Sequence, residues 1–276
     1  IQNGQISPTG KRALFEARGE IFTVPAKHGF VRQLTRSPGS AERTPAWSPD
    51  GKQIAFWSDA SGEYELVIRH SDGKGEEQKL TSLGPGFSYQ PYWSPDSRKI
   101  AFIDHTQSIQ ILDVESGEIS QVDRGLWRLH EDLENFRVSW SSDSQWLSYS
   151  RGLETQNSAI FLYDLEASES HQVTSGYYSD TSPVFDPEGK YLYYFSIRNL
   201  DPINSDLDAT WVYPNSTNIL AVGLRKDVPS PLAPRNDEED EEEVEEEGKG
   251  GKEETQATRN SEPGTRNSID LGGFEE

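Results

Sequence analysis

The chain has 276 residues, 47 acidic and 26 basic side chains, a formal net charge of −21, and neither cysteine nor methionine. Without cysteine it can form no disulfide, no thiolate zinc site and no cysteine nucleophile. A surface this acidic disfavours nucleic acid, and no stretch approaches the roughly 18 apolar residues of a membrane-spanning helix, so we expect neither partner. Because Ile1 opens the chain within a polar stretch, we expect a fragment of a longer protein.

A five-residue turn motif recurs along the chain. Its copies are Ile6–Gly10, Trp47–Gly51, Trp93–Ser97, Trp140–Ser144 and Phe185–Gly189. Their third residues are separated by 41, 46, 47 and 45 positions. A period this regular predicts a repeat architecture.

Each motif combines a turn with strands on either side of it. Proline sets φ at the second turn position, aspartate suits the third and glycine the fourth. An alternating apolar segment follows each turn: Arg12–Phe15, Gln53–Phe56, Lys99–Phe102, Trp146–Tyr149 and Tyr191–Tyr194. Two further strands follow in each repeat, such as Glu65–Ile68 and Gln78–Thr81. Four short antiparallel strands in about 45 residues predict an all-β fold, a β-propeller with about five four-stranded blades.

The repeats predict a propeller domain over residues 1–234. Its blades are expected near residues 1–43, 44–89, 90–136, 137–180 and 181–231. Trp47, Trp93 and Trp140 recur at one blade position, so we expect them to pack between neighbouring sheets rather than to bind a ligand.

Residues 196–220 interrupt the repeat where a tight turn is expected. A long insertion on a propeller tends to lie on one face, where it can bind or dock. Asp201, Asp206 and Asp208 lie in it, but their spacing does not match an EF-hand. We therefore predict an exposed polar loop without a metal ion.

An acidic segment follows the propeller repeats. From Arg235 to Glu276 there are 16 acidic and 5 basic residues, a net charge of −11. So many like charges with little apolar content cannot collapse, so residues 235–266 are predicted to be a disordered insert. Residues 267–276 regain apolar character and are expected to begin the next propeller strand.

The residues suited to catalysis are scattered. The histidines are His28, His70, His105, His130 and His171, and none lies in an HExxH helix or a clear ligand pair. There is no Gly-x-Ser-x-Gly elbow, glycine-rich phosphate loop or dinucleotide fingerprint. Asn215-Ser216-Thr217 fits a glycosylation acceptor, a short motif with many false positives. We predict no catalytic, cofactor-binding or metal-binding residue in this chain.

The Trp47–Phe56 segment, followed by Ser58–Gly62, resembles a blade repeat shared by several propellers. These are the Tol-system translocation propeller, the prolyl oligopeptidase and dipeptidyl peptidase propellers, and the tricorn peptidases. Other segments are similar to the tricorn family in particular: Gly19–Pro25, Arg36–Arg43, Asp186–Tyr194, Arg198–Pro202 and Ile269–Leu271. The similarity is to the second, seven-bladed propeller of that family, of which five blades and the first strand of a sixth would be present.

The tricorn resemblance implies a large, multi-domain, homo-oligomeric serine peptidase that trims oligopeptides in the cytoplasm. Its catalytic residues lie in C-terminal domains outside this chain. The propeller is then a non-catalytic substrate gate and assembly scaffold, whose partners are the passing oligopeptide and the other domains and subunits of the parent enzyme.

Two alternatives remain open at the level of the sequence. A Tol-type propeller would bind protein partners and have no enzymatic role, although the insertion at 198–213 and the acidic segment favour tricorn. A prolyl-oligopeptidase-type parent would carry a Gly-x-Ser-x-Gly elbow downstream. A periplasmic location is the alternative to the cytoplasm.

Overall fold

The structure, a computed structural model, describes residues 1–126, 133–205, 210–233, 267–271 and 274. These residues form five antiparallel sheets that follow one another along the chain, and one small hairpin. The predicted all-β propeller fold is confirmed. Within the described ranges, no helix combines the length and apolar character needed to cross a membrane.

Four of the sheets have four strands in sequential order. The first two contain β1 (Gln2–Ile6), β2 (Arg12–Ala17), β3 (Glu20–Pro25), β4 (Arg32–Gln33), β5 (Glu42–Trp47), β6 (Gln53–Ser58), β7 (Glu65–His70) and β8 (Gln78–Lys79). The next two contain β9 (Tyr92–Trp93), β10 (Lys99–Ile103), β11 (Ser108–Asp113), β12 (Ile119–Arg124), β13 (Val138–Trp140), β14 (Trp146–Gly152), β15 (Ser158–Asp164) and β16 (Glu169–Gln172).

The fifth sheet differs from the other four. The structure describes three strands in it: β17 (Ser179–Phe185), β18 (Tyr191–Ile197) and β21 (Thr217–Gly223), in the order β17-β18-β21. A separate hairpin, β19 (Ile203–Asn204) with β20 (Trp211–Val212), lies in the connection between β18 and β21. The inserted segment therefore extends the turn between the second and third strands and leaves their pairing intact from Tyr191↔Gly223 to Ile197↔Thr217.

In each sheet, the turn that the motif predicts joins the first strand to the second. The amide of the fourth turn residue donates to the carbonyl of the first, as in Gly51 N to Ser48 O at 2.8 Å. The fourth residue is left-handed in every copy, with φ of 68° at Gly10, 74° at Gly51, 61° at Ser97, 61° at Ser144 and 69° at Gly189. Glycine adopts this conformation without steric cost, which explains its place in the motif.

The core consists of four apolar clusters, each between two consecutive sheets. Side chains alternate along a strand, so one strand supplies residues to both neighbours. In β6, for example, Ile54 and Phe56 pack toward the first sheet, whereas Ala55 and Trp57 pack toward the third. Because every inner sheet is apolar on both faces, burial between sheets, rather than within one, stabilises the fold.

The tryptophan series is structural, as predicted. Trp47, Trp93 and Trp140 are buried, each in the cluster that joins its own sheet to the preceding one. Two of the indoles also donate a hydrogen bond to the preceding sheet, from Trp93 Nε1 to Ala46 O at 3.2 Å and from Trp140 Nε1 to Tyr92 O at 3.0 Å. The indole therefore supplies both apolar area and a directional contact between blades.

The predicted acidic insert, residues 235–266, lies outside the described residues. Beyond it, Asp270 N donates to Leu224 O at 2.8 Å, and Ile269 packs against the cluster between the fourth and fifth sheets. Asn267 N donates to the Asp143 carboxylate in the turn of the fourth sheet. The segment after the insert therefore returns to the propeller; its assignment as the start of a further strand stays a prediction.

Candidate functional site: an axial cavity

The first strands of four successive sheets, with the residues just before them, border one cavity of about 640 Å³. Its lining includes Gln2–Gln5 from the first sheet, Arg43 and Thr44 from the second, Tyr89–Tyr92 from the third and Arg137 from the fourth. A smaller cavity of about 440 Å³ shares Gln5, Pro91 and Tyr92 with it and continues along the same strands past the three motif tryptophans. We call the pair the axial cavity.

β-Bulges shape the strands that line this cavity. The pairing register shifts between Gln2 and Gln5 in β1 and between Arg43 and Ala46 in β5. Within the bulges, Asn3 and Thr44 adopt left-handed φ of 51° and 47°. Such a φ is common for asparagine but a strained exception for a β-branched residue. Bulges recur beside binding sites because they re-aim side chains out of the regular ladder.

Glu16 braces the first two bulges across the boundary between sheets. Its Oε2 accepts hydrogen bonds from Asn3 Nδ2 at 2.8 Å and from Thr44 N at 3.0 Å. The Thr44 amide thus finds a partner although it lies outside the strand ladder. One carboxylate therefore joins the Asn3 side chain of one blade to the Thr44 backbone of the next at the cavity wall.

Two arginines enter the axial cavity, and aromatic residues hold both. Arg137 Nη1 donates to Tyr92 Oη at 2.9 Å, and that hydroxyl donates to Phe136 O at 2.7 Å. Burial raises the pKa of Tyr92, which keeps the phenol protonated as the donor. The Arg43 guanidinium lies 5.6 Å from the centroid of the Tyr64 ring. Among the described residues, neither guanidinium forms an ion pair.

An aromatic row continues from Tyr64 along the wall. Its ring meets Phe87 edge-on with centroids 5.8 Å apart, and Phe87 meets Tyr89 in the same way at 5.1 Å. Trp57 Nε1 donates to Tyr89 O at 2.7 Å and ties this wall to the second sheet. The cavity lining therefore combines aromatic surface with arginine, glutamate and amide groups.

The histidines do not converge on this cavity in the described part of the chain. His28, His70 and His105 are exposed; His70 Nδ1 lies 2.8 Å from Asp72 Oδ1, and His105 Nδ1 accepts from Phe87 N at 3.3 Å. His171 is half-buried in β16, where its ring lies 6.5 Å from that of Trp146. His130 lies outside the described residues.

The other residues singled out by the sequence lie apart from the axial cavity. Asp201 is exposed in the insertion, whereas Asp206 and Asp208 lie outside the described residues. Asn215 is exposed in the turn before β21 with φ 53°. Across the described ranges, no three histidine, aspartate or glutamate side chains are placed to hold a metal ion.

The sequence did not identify the cavity-lining residues. A usable signal was present, since Thr44, Gln90 and Arg137 each stand three residues before a motif tryptophan. Polar residues at that position are typical of a surface rather than a core. Only the sheet topology shows that this surface faces the common axis.

Comparisons with known proteins agree with this architecture. The family described as "Tricorn protease second beta propeller domain" matches residues 1–273. "Tricorn protease homolog 1" of Streptomyces coelicolor is 27% identical over 246 residues, covering 84% of this chain and 22% of the relative. "Tricorn protease" of Thermoplasma volcanium is 30% identical over 129 residues, covering 45% of this chain and 12% of the relative.

Two solved structures share the fold. A crystal structure of the tricorn protease superposes with a TM-score of 0.72 at 21% identity, covering 83% of this chain and 22% of that one. A putative TolB from Agrobacterium tumefaciens superposes with a TM-score of 0.53 at 18% identity, covering 80% of this chain and 79% of that one. The chain spans about a fifth of the first of the curated relatives and of the tricorn structure. Because the family match extends over nearly all of its residues, this chain belongs to the family of second β-propeller domains of tricorn proteases.

Proposed function

We propose that this chain is the non-catalytic propeller segment of a tricorn-type serine peptidase, and that oligopeptides reach the distant catalytic domains along its axial cavity. The observation that carries the proposal is the convergence of the first strands of four sheets on one cavity. A volume of about 640 Å³ can hold part of an extended peptide but not a folded protein. The cytoplasmic location, the homo-oligomeric parent and the scaffold role stay predictions.

Narrowing the cavity in the full-length peptidase tests this role. Gln90 lines the cavity, and among the described residues its amide donates only to the neighbouring Pro91 carbonyl, at 3.3 Å. In Gln90→Trp we expect cleavage of a six-residue peptide to fall severalfold, with cleavage of a small chromogenic amide unchanged. Gln78→Trp, at an exposed position of β8, is the control. Equal effects of Gln90→Trp on both substrates would contradict passage through the cavity.

The isolated 276-residue chain provides a second test. The catalytic residues are predicted to lie elsewhere in the parent protein, so the purified chain should leave a fluorogenic peptide intact. Robust cleavage that survives further purification would overturn the non-catalytic assignment.

Protein binding through the inserted hairpin is the second candidate function, and one observation favours it. The hairpin β19–β20 and its flanks expose large apolar side chains: Leu200, Ile203, Trp211, Val212 and Tyr213. If this candidate is right, the narrowing variant leaves peptide cleavage unaffected, whereas removal of the hairpin abolishes partner binding.

A further inference from the structure

We propose that the axial cavity binds a carboxylate of the peptide, and that Arg43 and Arg137 hold it. The inference rests on the proposed function, because it takes a peptide to be the occupant of the cavity. It goes further by naming the chemical group that is recognised and the two side chains that recognise it.

The first support is that Arg43 and Arg137, which are exposed to solvent, do not form the ion pairs that Arg69 and Arg151 form. Arg69 forms an ion pair with Glu77 at 2.7 Å, and Arg151 forms one with Asp123 at 2.9 Å. Arg43 and Arg137 instead contact tyrosines, and within the described residues their charge meets no carboxylate. In a chain of net charge −21, these two guanidiniums make the lining of this cavity neutral rather than acidic.

The second support is pre-organisation. Tyr92 accepts one N–H of Arg137 and is itself fixed by the Phe136 carbonyl. Tyr64 holds the Arg43 guanidinium beside its ring and forms a side-chain hydrogen bond with it. Each side chain is therefore oriented while most of its N–H groups remain available, and a planar guanidinium fork matches the two oxygens of a carboxylate.

The third support is the charge balance of the lining. Glu16 and Glu134 border the same cavity, so its four charged side chains sum to zero. Glu16 Oε2 is already engaged by Asn3 and Thr44. A lining of this kind favours one well-placed carboxylate at the arginines and does not concentrate polyanions.

Binding of fluorescein-labelled five-residue alanine–phenylalanine peptides to the 276-residue chain tests the inference. Three forms are compared: a free C-terminal carboxylate, a C-terminal amide, and an amide with one internal glutamate. We expect the forms with a carboxylate to bind about tenfold more tightly than the plain amide, as a charge-assisted hydrogen bond allows. Arg43→Gln and Arg137→Gln should each reduce that preference, and Arg69→Gln, outside the axial cavity, should preserve it.

The outcomes separate this inference from the function on which it rests. If all three peptides bind equally, and the Gln variants bind them as the parent does, carboxylate recognition is overturned while peptide passage stands. If no peptide binds, the proposed function fails as well. The free-acid and glutamate forms show whether the terminus or a side chain supplies the group. Should a Gln variant unfold, Arg137→Lys, which keeps the charge and loses the fork, must show a smaller preference than the parent; an unchanged preference overturns the role of Arg137.

Discussion

At the scale of single residues, two blade turns place serine where the other three place glycine. Ser97 and Ser144 adopt a left-handed backbone that costs an L-residue roughly 1–2 kcal/mol. Their hydroxyls accept hydrogen bonds from the turn of the preceding sheet, from Asp50 N to Ser97 Oγ and from Asp96 N to Ser144 Oγ, both at 3.1 Å. Local strain is thus offset by a bond that joins neighbouring blades.

Substitution of Ser97 separates the two effects. Ser97→Ala keeps the strain and removes the inter-blade bond, so we expect a loss of about 1 kcal/mol in the free energy of unfolding. Ser97→Gly removes both and should be close to neutral. Urea unfolding of the two variants measures the difference. An alanine variant as stable as the parent would show that the inter-blade bond contributes nothing.

An ion-pair network joins the third and fourth sheets. Asp123 accepts from Arg151 Nη1 at 2.9 Å and from Tyr149 Oη at 2.7 Å, and Arg151 also stacks on Phe161 at 4.0 Å. Burial raises the pKa of Tyr149, so its hydroxyl remains a donor throughout the ordinary pH range.

Removing the Asp123 charge should therefore weaken this blade boundary. In Asp123→Asn we expect a loss of roughly 1.5–3 kcal/mol in unfolding free energy, the range for hydrogen bonds to charged groups. Asp227→Asn, which touches only an exposed pair with Arg225, is the matched control and should leave the unfolding midpoint in place. Equal midpoints for the two variants would contradict the role given to Asp123.

Glu42 predicts a pH dependence with a definite sign. The side chain is fully buried, and burial raises its pKa despite hydrogen bonds from Ser40 and Ser58. Between the ordinary pKa and the raised one, the folded protein binds a proton that the unfolded chain releases. Burial of the charged carboxylate therefore destabilises the fold fully above the raised pKa and not at all below the ordinary one. Stability should rise as the pH falls through this window.

Chemical denaturation of Glu42→Gln at several pH values checks that sign. The variant should be less stabilised than the parent by acidification. Glu188→Gln is the control in which the pH effect has the opposite sign, because Lys190 lowers, rather than raises, the pKa of the exposed Glu188 carboxylate. If the parent and Glu42→Gln respond alike to pH, the buried carboxyl does not titrate in this window.

At the scale of elements, the insertion after β18 is separable from the sheet that carries it. Ile197 and Thr217 are paired, so the strands would accept a short turn in its place. Arg198 is the exception, because its guanidinium lies 3.8 Å from Asp180, a carboxylate that is 1% exposed. A buried acid without its partner is strongly destabilising.

We therefore expect different results from two changes in this insertion. Replacing residues 199–215 by Asn-Gly should leave the melting temperature within a few degrees, since those of the removed side chains that the structure describes are mostly exposed. Arg198→Gln alone should lower it further than that larger deletion does. Differential scanning calorimetry compares them, and the reverse order would assign the stability to the hairpin.

The strands were largely predictable from the sequence, and the axial cavity was not. Period-two alternation after each Ser-Pro-Asp turn places Gln53–Phe56 and Lys99–Phe102 in β6 and β10. Arg43 and Arg137 carry no such pattern, because a bulge begins at Arg43 in β5 and Arg137 lies just before β13. In addition, a polar residue facing a cavity resembles one facing bulk water. Their convergence depends on contacts between successive sheets, such as that of Arg137 with Tyr92, 45 positions away, which a local pattern cannot encode.

At the scale of the whole molecule, each inner sheet is covered on both faces, whereas the fifth sheet has one face open. Trp57 in β6 is 1% exposed and packs edge-on against Phe102 of the third sheet at 5.2 Å. Phe195, at the corresponding position of β18, is 45% exposed, and its partner in register, Ile219, is 72% exposed. Within the described residues, each apolar cluster joins only consecutive sheets, so none joins the first sheet to the fifth.

An open apolar sheet face should drive self-association of the 276-residue chain, because contiguous exposed apolar surface seeks burial. Sedimentation velocity should show concentration-dependent oligomers for the parent chain. The double variant Phe195→Lys/Ile219→Lys should shift it to a monomer without lowering its stability, since neither side chain is buried. Tyr177→Lys, which changes an exposed aromatic residue outside this face, should associate as the parent does. A parent chain that stays monomeric at all concentrations would show that the fifth sheet tolerates its exposure to water.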